Sequence, residues 1–397
     1  MTVLVINTAQ PTLRVLACAT VALVPVEGYV TAVHPQLAKV APALLVLVWL
    51  TVRVWQRRAP QRHPAHALLA ALTVLMLASA ALHAGGPFTA EYTVRWLPFL
   101  ALTVVLIDVA AREVPLRALI TAAVAGATVA GAGAIYSLLV GGAARATGPL
   151  EDPNDLAFVL VMAVPLLVAV RRGPLTVLAA VLLVGGAAAT FSRGGALALA
   201  AAVLWLLARR VLSVRVLGVA LAGVAVAAVV AVQVAGPELS RALREKSFIA
   251  ASNVDTRELR WQAAARMLAD HPVLGVGPGG FRAEYAAASH NAEVDEQTPV
   301  AHNMFLEVAA ELGLPAFAAF VGLVAVGLVA TERVGLAGRE RDAMVAIQAA
   351  TVAVAVAAMF LSEQYYLPLW LLVALAVAAD LRHRTERSGD AGAPRHQ

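Results

Sequence analysis

A single cysteine, Cys18, stands in 397 residues, so neither an intrachain disulfide nor a cysteine-built metal site is available. Charge is scarce as well: 14% of residues are Asp, Glu, Lys or Arg, against roughly 25% in an ordinary soluble domain. With 60% hydrophobic residues and a mean hydropathy of +0.79, this excludes a soluble globular enzyme. No G-x-x-x-x-G-K-[ST] segment occurs, which disfavours ATP-driven transport by this chain alone. No H-E-x-x-H or similarly compact spacing joins His271, His290 and His302 to Glu284, Glu293 and Asp295, so no metal site is expected. The opening MTVLVINTAQPTLR lacks a basic region followed by a small-residue cleavage site, and no removable signal peptide is expected. The strand-like alternation of a membrane barrel is missing too.

What the sequence has is apolar length. Continuous Ala/Leu/Val-rich runs fall at about 13–33, 36–55, 65–84, 94–111, 116–140, 154–170, 174–191, 195–208, 214–235, 303–331, 343–361 and 367–381. Since about 20 apolar residues cross a hydrocarbon core, and lipid offers no partner to backbone N–H and C=O groups, these predict an all-α polytopic membrane protein of about 12 transmembrane helices. Lys and Arg (30) exceed Asp and Glu (25), but the excess sits in short clusters between runs, a topology signal rather than a nucleic-acid surface. The clusters occupy every second connection: Arg53, Arg57, Arg58 and Arg62; Arg112 and Arg117; Arg171 and Arg172; Arg209, Arg210 and Arg215; Arg333, Arg339 and Arg341; Arg382, Arg384 and Arg387. By the positive-inside rule these connections and both termini are expected in the cytoplasm. The expected organisation is helices 1–9 over 1–235, one long and partly helical periplasmic loop over 236–302, helices 10–12 over 303–381, and a cytoplasmic tail over 382–397.

The long loop has the periodicity of an ordered element. DTRELRWQAAARMLAD reads as a helix over Asp255–Asp270 with Arg257, Trp261, Ala264 and Leu268 on one face, and Arg257 and Arg260 able to point together. Arg257 could equally snorkel, or pair with Asp255 or Glu258. HPVLGVGPGGF contains G-x-G-x-x-G, but Pro278 interrupts it and no βαβ unit surrounds it, so a tight turn is expected rather than a dinucleotide site. In TPVAHNMFLEVAAELGLPAF, Thr298 reads as a helix cap and Pro299 as the first helical position. His302 is then expected in the first turn, where the helix dipole and partial burial favour a neutral imidazole suited to general-base work. A histidine that caps or packs at the membrane boundary is the alternative, and Asn303 and Glu307 read equally well as polar rim residues. In TFSRGGALAL, Arg193 lies between two apolar runs and needs an anionic partner or marks a boundary. In GPLEDPNDLAF, Glu151, Asp152, Asn154 and Asp155 sit at the start of the sixth run, as caps or as an oxygen-ligand cation site.

In this order, GPLEDPNDLAF, the FSRGG turn, RELRW followed by HPVLGVGPGGF, and AHNMFLEVAAELGLPAF resemble the O-antigen ligase and O-antigen polymerase superfamily of bacterial membrane glycosyltransferases, best over about 150–320. The resemblance implies transfer of a glycan from undecaprenyl diphosphate to an acceptor hydroxyl, such as that of lipid A core, at the periplasmic face of the inner membrane, without a cofactor or metal and with inversion. It implies that Arg193 and Arg257 hold the diphosphate and that His302 activates the acceptor, with Arg260, Arg282, Asn303 and Asn154 as secondary contacts. The ligase-type motifs favour ligase-like transfer. Polymerisation and protein O-glycosylation belong to the same superfamily. A polytopic transporter or flippase is the competing class, suggested by polar residues such as Glu27 and Asp108 in apolar runs. No repeat between the two halves of the chain supports it.

Overall fold

The computed structural model describes residues 2–141, 145–215, 217–218, 222, 256–293, 296–338 and 340–392. Among these, regular structure is entirely helical. In chain order the helices are α1 (Thr2–Leu23), α2 (Glu27–Val33), α3 (Leu37–Gln56), α4 (Pro64–Leu82), α5 (Thr89–Arg112), α6 (Leu116–Leu139), α7 (Pro153–Leu166), α8 (Pro174–Ala189), α9 (Arg193–Ala208), α10 (256–270), α11 (Gly280–Ala288), α12 (Met304–Leu336), α13 (Arg341–Ala357) and α14 (Leu367–Gly392). Six helical segments are long and apolar enough to cross a membrane by length and composition: Gln10–Val33, Leu37–Gln56, Pro64–Leu82, Thr89–Arg112, Leu116–Leu139 and Met304–Leu336. Pro153–Ala169, Pro174–Ala189 and Arg193–Ala208 are shorter apolar helices. The predicted ninth span, 214–235, and the first part of the long loop lie mostly outside the described residues. The expected tail continues α14 as helix to Gly392.

Lipid-like composition on every face does not by itself say which helices are central; packing does. α13 and the first half of α14 are buried on nearly all sides, and α13 packs on α7, α9 and α12 while α14 packs on α5 and α12. Small residues let backbones approach where large ones would hold them apart. At the α6–α8 crossing a Cβ on Gly186 would stand 2.8 Å from the Gly131 Cα. At the α1–α6 crossing a Cβ on Gly126 would stand 2.1 Å from the Ala22 carbonyl oxygen.

The arginine clusters from alternate connections meet at one end of the bundle. Arg53 donates through Nε to Asp108 and through Nη2 to Glu113 (2.8 Å), and Arg112 Nε lies 3.2 Å from Asp108. Arg382 donates to the Ala110 and Val114 carbonyls at 2.7 Å, and Arg209 pairs with Glu332 at 2.6 Å. Asp108, 1% exposed, is therefore one member of an ion-pair network at a helix end. Removing one partner of a buried pair leaves an uncompensated charge, at about 3–5 kcal/mol. Arg53→Ala is expected to lower the folded, monodisperse yield in detergent and the unfolding temperature; an unchanged temperature would contradict this role for the network.

One helix is broken, and the break positions the loop. At Gly313 of α12 the backbone leaves helical geometry (φ 77°, ψ 173°). Pro315 has no N–H to give the Glu311 carbonyl, and the Leu314 N–H, which in a helix would reach Ala310, instead donates to the Pro272 carbonyl (2.8 Å). The freed Ala310 and Glu311 carbonyls accept from Val276 N–H (3.0 Å) and Gly277 N–H (2.9 Å). The glycines of HPVLGVGPGGF fit because Gly275, Gly277 and Gly279 have φ between 63° and 93°. A Cβ on Gly275 would also lie 2.3 Å from the Glu311 backbone. The G-x-G-x-x-G segment is thus a set of turns docked on the kink of α12, as the tight-turn reading expects.

Candidate functional site

The starts of α7, α9 and α12, the helix α10 and one interhelical loop supply the site. α9 begins at the FSRGG turn: Ser192 caps it by accepting from Gly195 N–H (3.2 Å), and Phe191 before it takes φ 50°, a conformation costly for a non-glycine residue. This leaves Arg193 exposed in the first turn, with no hydrogen bond or ion pair among the described residues. α7 begins at the PN segment, where Asp152 caps by accepting from Asn154 N–H. The Asn154 side-chain oxygen accepts from Arg145 Nη2 (3.0 Å), and Arg145 Nε donates to the Thr190 carbonyl (3.0 Å). Arg145 thereby ties the PN segment to the FSRGG turn.

α12 starts later than the Thr298 cap and Pro299 predict. Glu296 captures both the Thr298 N–H (2.9 Å) and its hydroxyl, and the helix begins at Met304 with Asn303 as its cap, accepting from Phe305 and Leu306 N–H groups at 3.1 Å. Asn303 is committed to this cap. His302 consequently precedes the cap instead of occupying the first turn, in the left-handed region at φ 48°. Burial, then repulsion from the Arg257 and Arg260 guanidiniums, lowers its pKa to about 4 against the opposing pull of Asp152 and Glu296. The imidazole is neutral at pH 7; burial acts as the sequence reading expects, and two guanidiniums stand where that reading invoked the helix dipole.

α10 spans 256–270, agreeing with the predicted helix except that Asp255 lies outside the described residues. Its buried stripe is Arg260, Ala263, Ala264 and Met267, turned by about one residue from the predicted face, while Arg257 and Trp261 are half-buried. This separates the two arginines. Arg260 is locked to Glu293 through Nε and Nη2 (both 3.0 Å) and to Glu296 (2.8 Å), and Tyr285 donates its hydroxyl to Glu293. Arg257 has no such carboxylate partner among the described residues; its guanidinium carbon lies 5.9 Å from the centre of the Phe360 ring. Burial lowers its pKa, with Asp152 opposing, and an arginine so placed remains cationic. Arg282 points elsewhere: it stacks over Phe88 (4.3 Å) and donates to the Gln297 carbonyl (3.3 Å).

The connection between α13 and α14, for which sequence reasoning gives no role, closes the site. Met304 N–H donates to the Ala358 carbonyl (2.8 Å). Phe360 reaches the start of α9, where a Cβ on Gly194 would lie 3.1 Å from it. Burial, followed by the charge of the neighbouring Asp155, raises Glu363 well above the ordinary carboxylate range. A partner so remote in sequence leaves no local pattern; the polar SEQ between two apolar runs is the available signal. His302, Arg257, Asp152 and the Arg193 turn thus share one end of the bundle, opposite in character to the ion-paired arginine end. A neutral base beside a guanidinium with no carboxylate partner among the described residues, that of Arg257, can take a proton from a hydroxyl while a phosphorylated leaving group is held.

No curated protein matches the chain. Residues 178–321 match the family model described as O-antigen ligase. This match takes in the FSRGG turn, α10, the glycine turns and the start of α12, and it supports membership of this chain in the O-antigen ligase superfamily, whose activity is ligase- or polymerase-like glycosyl transfer.

Proposed function

We propose that this protein transfers a glycan from undecaprenyl diphosphate to an acceptor hydroxyl, that of lipid A core or a similar acceptor, at the periplasmic face of the bacterial inner membrane. The observation that carries the reading is the neutral His302 imidazole set beside Arg257, within a segment matching the O-antigen ligase family. The acceptor oxygen attacks the anomeric carbon as its proton passes to His302. The bond between that carbon and the diphosphate oxygen breaks, and its electron pair leaves on undecaprenyl diphosphate. Arg193 and Arg257 hold the diphosphate and stabilise the negative charge that develops on it, which assigns to guanidiniums the task a divalent ion performs in other glycosyl transfers. One displacement inverts the anomeric configuration. The arginine-rich end of the bundle faces the cytoplasm under this reading, with both termini, and the motif end faces the periplasm.

Ligation is favoured over polymerisation by the ligase-type motifs. Transport accords less well, because Asp108, a buried acid that would invite an alternating-access reading, is ion-paired at the arginine end. Deleting the gene and measuring the chain length of glycan left on undecaprenyl diphosphate separates the cases. Long chains are expected. Single repeat units would instead identify a polymerase, and an unchanged lipid-linked pool would overturn the reading.

A further inference from the structure

Glu307, in the first turn of α12, is 2% exposed, and its carboxylate is shared among three segments. Oε2 accepts the backbone N–H of Ala301 (2.9 Å), the residue immediately before His302, and also the Ser362 hydroxyl. Oε1 accepts from Gln364 Nε2 (2.7 Å). Ala301 sets the entry to the left-handed backbone of His302, which no local preference would hold. Ser362 and Gln364 follow Phe360, and Met304 N–H holds the Ala358 carbonyl on its other side, so Phe360 is pinned to α12 from both directions. Phe360 in turn lies beneath Arg257 and against Gly194, the neighbour of Arg193.

From this geometry we infer that Glu307 is a positioning residue, a carboxylate that sets His302, Arg257 and the Arg193 turn in register. The inference rests on the glycosyl-transfer reading above. Glu307 touches no reacting atom; it acts through Ala301 on the base and through Phe360 on the diphosphate arginines. Because the need is for acceptor oxygens, an amide serves nearly as well. In Glu307→Gln the carbonyl oxygen can face Ala301 and Ser362 while the new amide N–H₂ faces Gln364, whose own Oε1 is buried without a hydrogen bond among the described residues and becomes the acceptor once that side chain flips.

The test uses the full chain in lipid nanodiscs, with two readouts. One is carbethoxylation of His302 against pH, followed by peptide mass spectrometry; the reagent attacks only the neutral imidazole. The groups whose charge faces His302 are Arg257 and Arg260 from α10, Asp152 before α7, and Glu293 and Glu296 from the loop, and none is altered. The other is binding of undecaprenyl diphosphate itself. Glu307→Ala is expected to move the His302 titration from about 4 toward the ordinary 6.5 and to weaken undecaprenyl diphosphate by on the order of tenfold, as the imidazole is hydrated and Arg257 loses its support. Glu307→Gln is expected to restore most of both. An unmoved titration in folded Glu307→Ala, or a glutamine variant as damaged as the alanine one, overturns the inference. If Glu307→Ala does not fold, Gln364→Ala loosens only the Phe360 segment and is expected to weaken undecaprenyl diphosphate in the same direction; unchanged binding there also overturns it. Chemical titration of His302 requires no turnover, so a failure of the transfer reading, seen as full transfer by His302→Ala, is distinguishable from a failure of this one.

Discussion

His302→Ala is expected to abolish transfer, by roughly 10²- to 10⁴-fold in kcat, the range for removing a general base, with normal membrane levels and normal binding of undecaprenyl diphosphate. The acceptor hydroxyl needs a base at the moment of attack, whereas the donor is held by other groups. The pH profile carries the sign. His302 works in its neutral form and its pKa is about 4, so kcat/KM is expected to hold as pH falls through 6.5 and to drop only as it passes about 4. An unperturbed histidine would lose activity near 6.5. Bound diphosphate offsets the Arg257 and Arg260 charges that help depress this pKa, so the acid limb of kcat is expected above that of kcat/KM. Stopped-assay profiles at saturating and limiting donor read both limbs; a kcat/KM limb near 6.5 would mean that His302 is not held in this environment.

Arg257→Ala is expected to cost about 10²- to 10³-fold in kcat, as for loss of one donor to developing charge, and to weaken undecaprenyl diphosphate binding as well. Arg257→Lys recovers only part of this, since an ammonium cannot present two parallel N–H groups to a phosphate. The neighbouring Arg260 gives the contrast. Its guanidinium is satisfied by Glu293 and Glu296; the Thr298 N–H and then Arg260 hold Glu296 below the usual glutamate range, and Arg260 with the Tyr285 hydroxyl does so for Glu293 against the opposing effect of burial. Replacing Arg260 is expected to release Glu293 and Glu296 and raise KM for the acceptor more than for the donor. Equal loss of donor affinity in Arg257→Ala and Arg260→Ala would contradict the separation of their roles. Arg193, exposed at the start of α9, is expected to behave as Arg257 does.

Helix positions are legible because apolar run length is a one-dimensional signal, and the described helices fall at the predicted runs, six of them long and apolar enough to cross a membrane. The sequence is less informative where two local rules compete. Thr298–Pro299 is a sound helix start in isolation, but Glu296 satisfies Thr298 first and Asn303 caps a later start. That shift moves His302 from a helix turn to a strained loop while leaving the expectation of a neutral imidazole intact. Gly313-Leu314-Pro315 inside an apolar run marks a break of α12, yet what fills it, the Val276 and Gly277 N–H groups, depends on tertiary docking. In the site, Arg193, Arg257 and His302 stand in recognisable motifs. Arg145, Phe360 and Glu363 do not, because what makes each informative is a partner far away in the chain: Thr190, Arg257 and Asp155 respectively.

The central claim is that this chain moves a glycan off a polyprenyl diphosphate. Its most direct test is reconstitution of the purified protein in vesicles with glycan-loaded undecaprenyl diphosphate and lipid A core, measuring free undecaprenyl diphosphate and glycosylated acceptor together. Equal amounts of both, dependent on His302 and with the new linkage inverted, are predicted; release of undecaprenyl diphosphate without a glycosylated acceptor, or translocation of the intact donor without cleavage, would contradict the account.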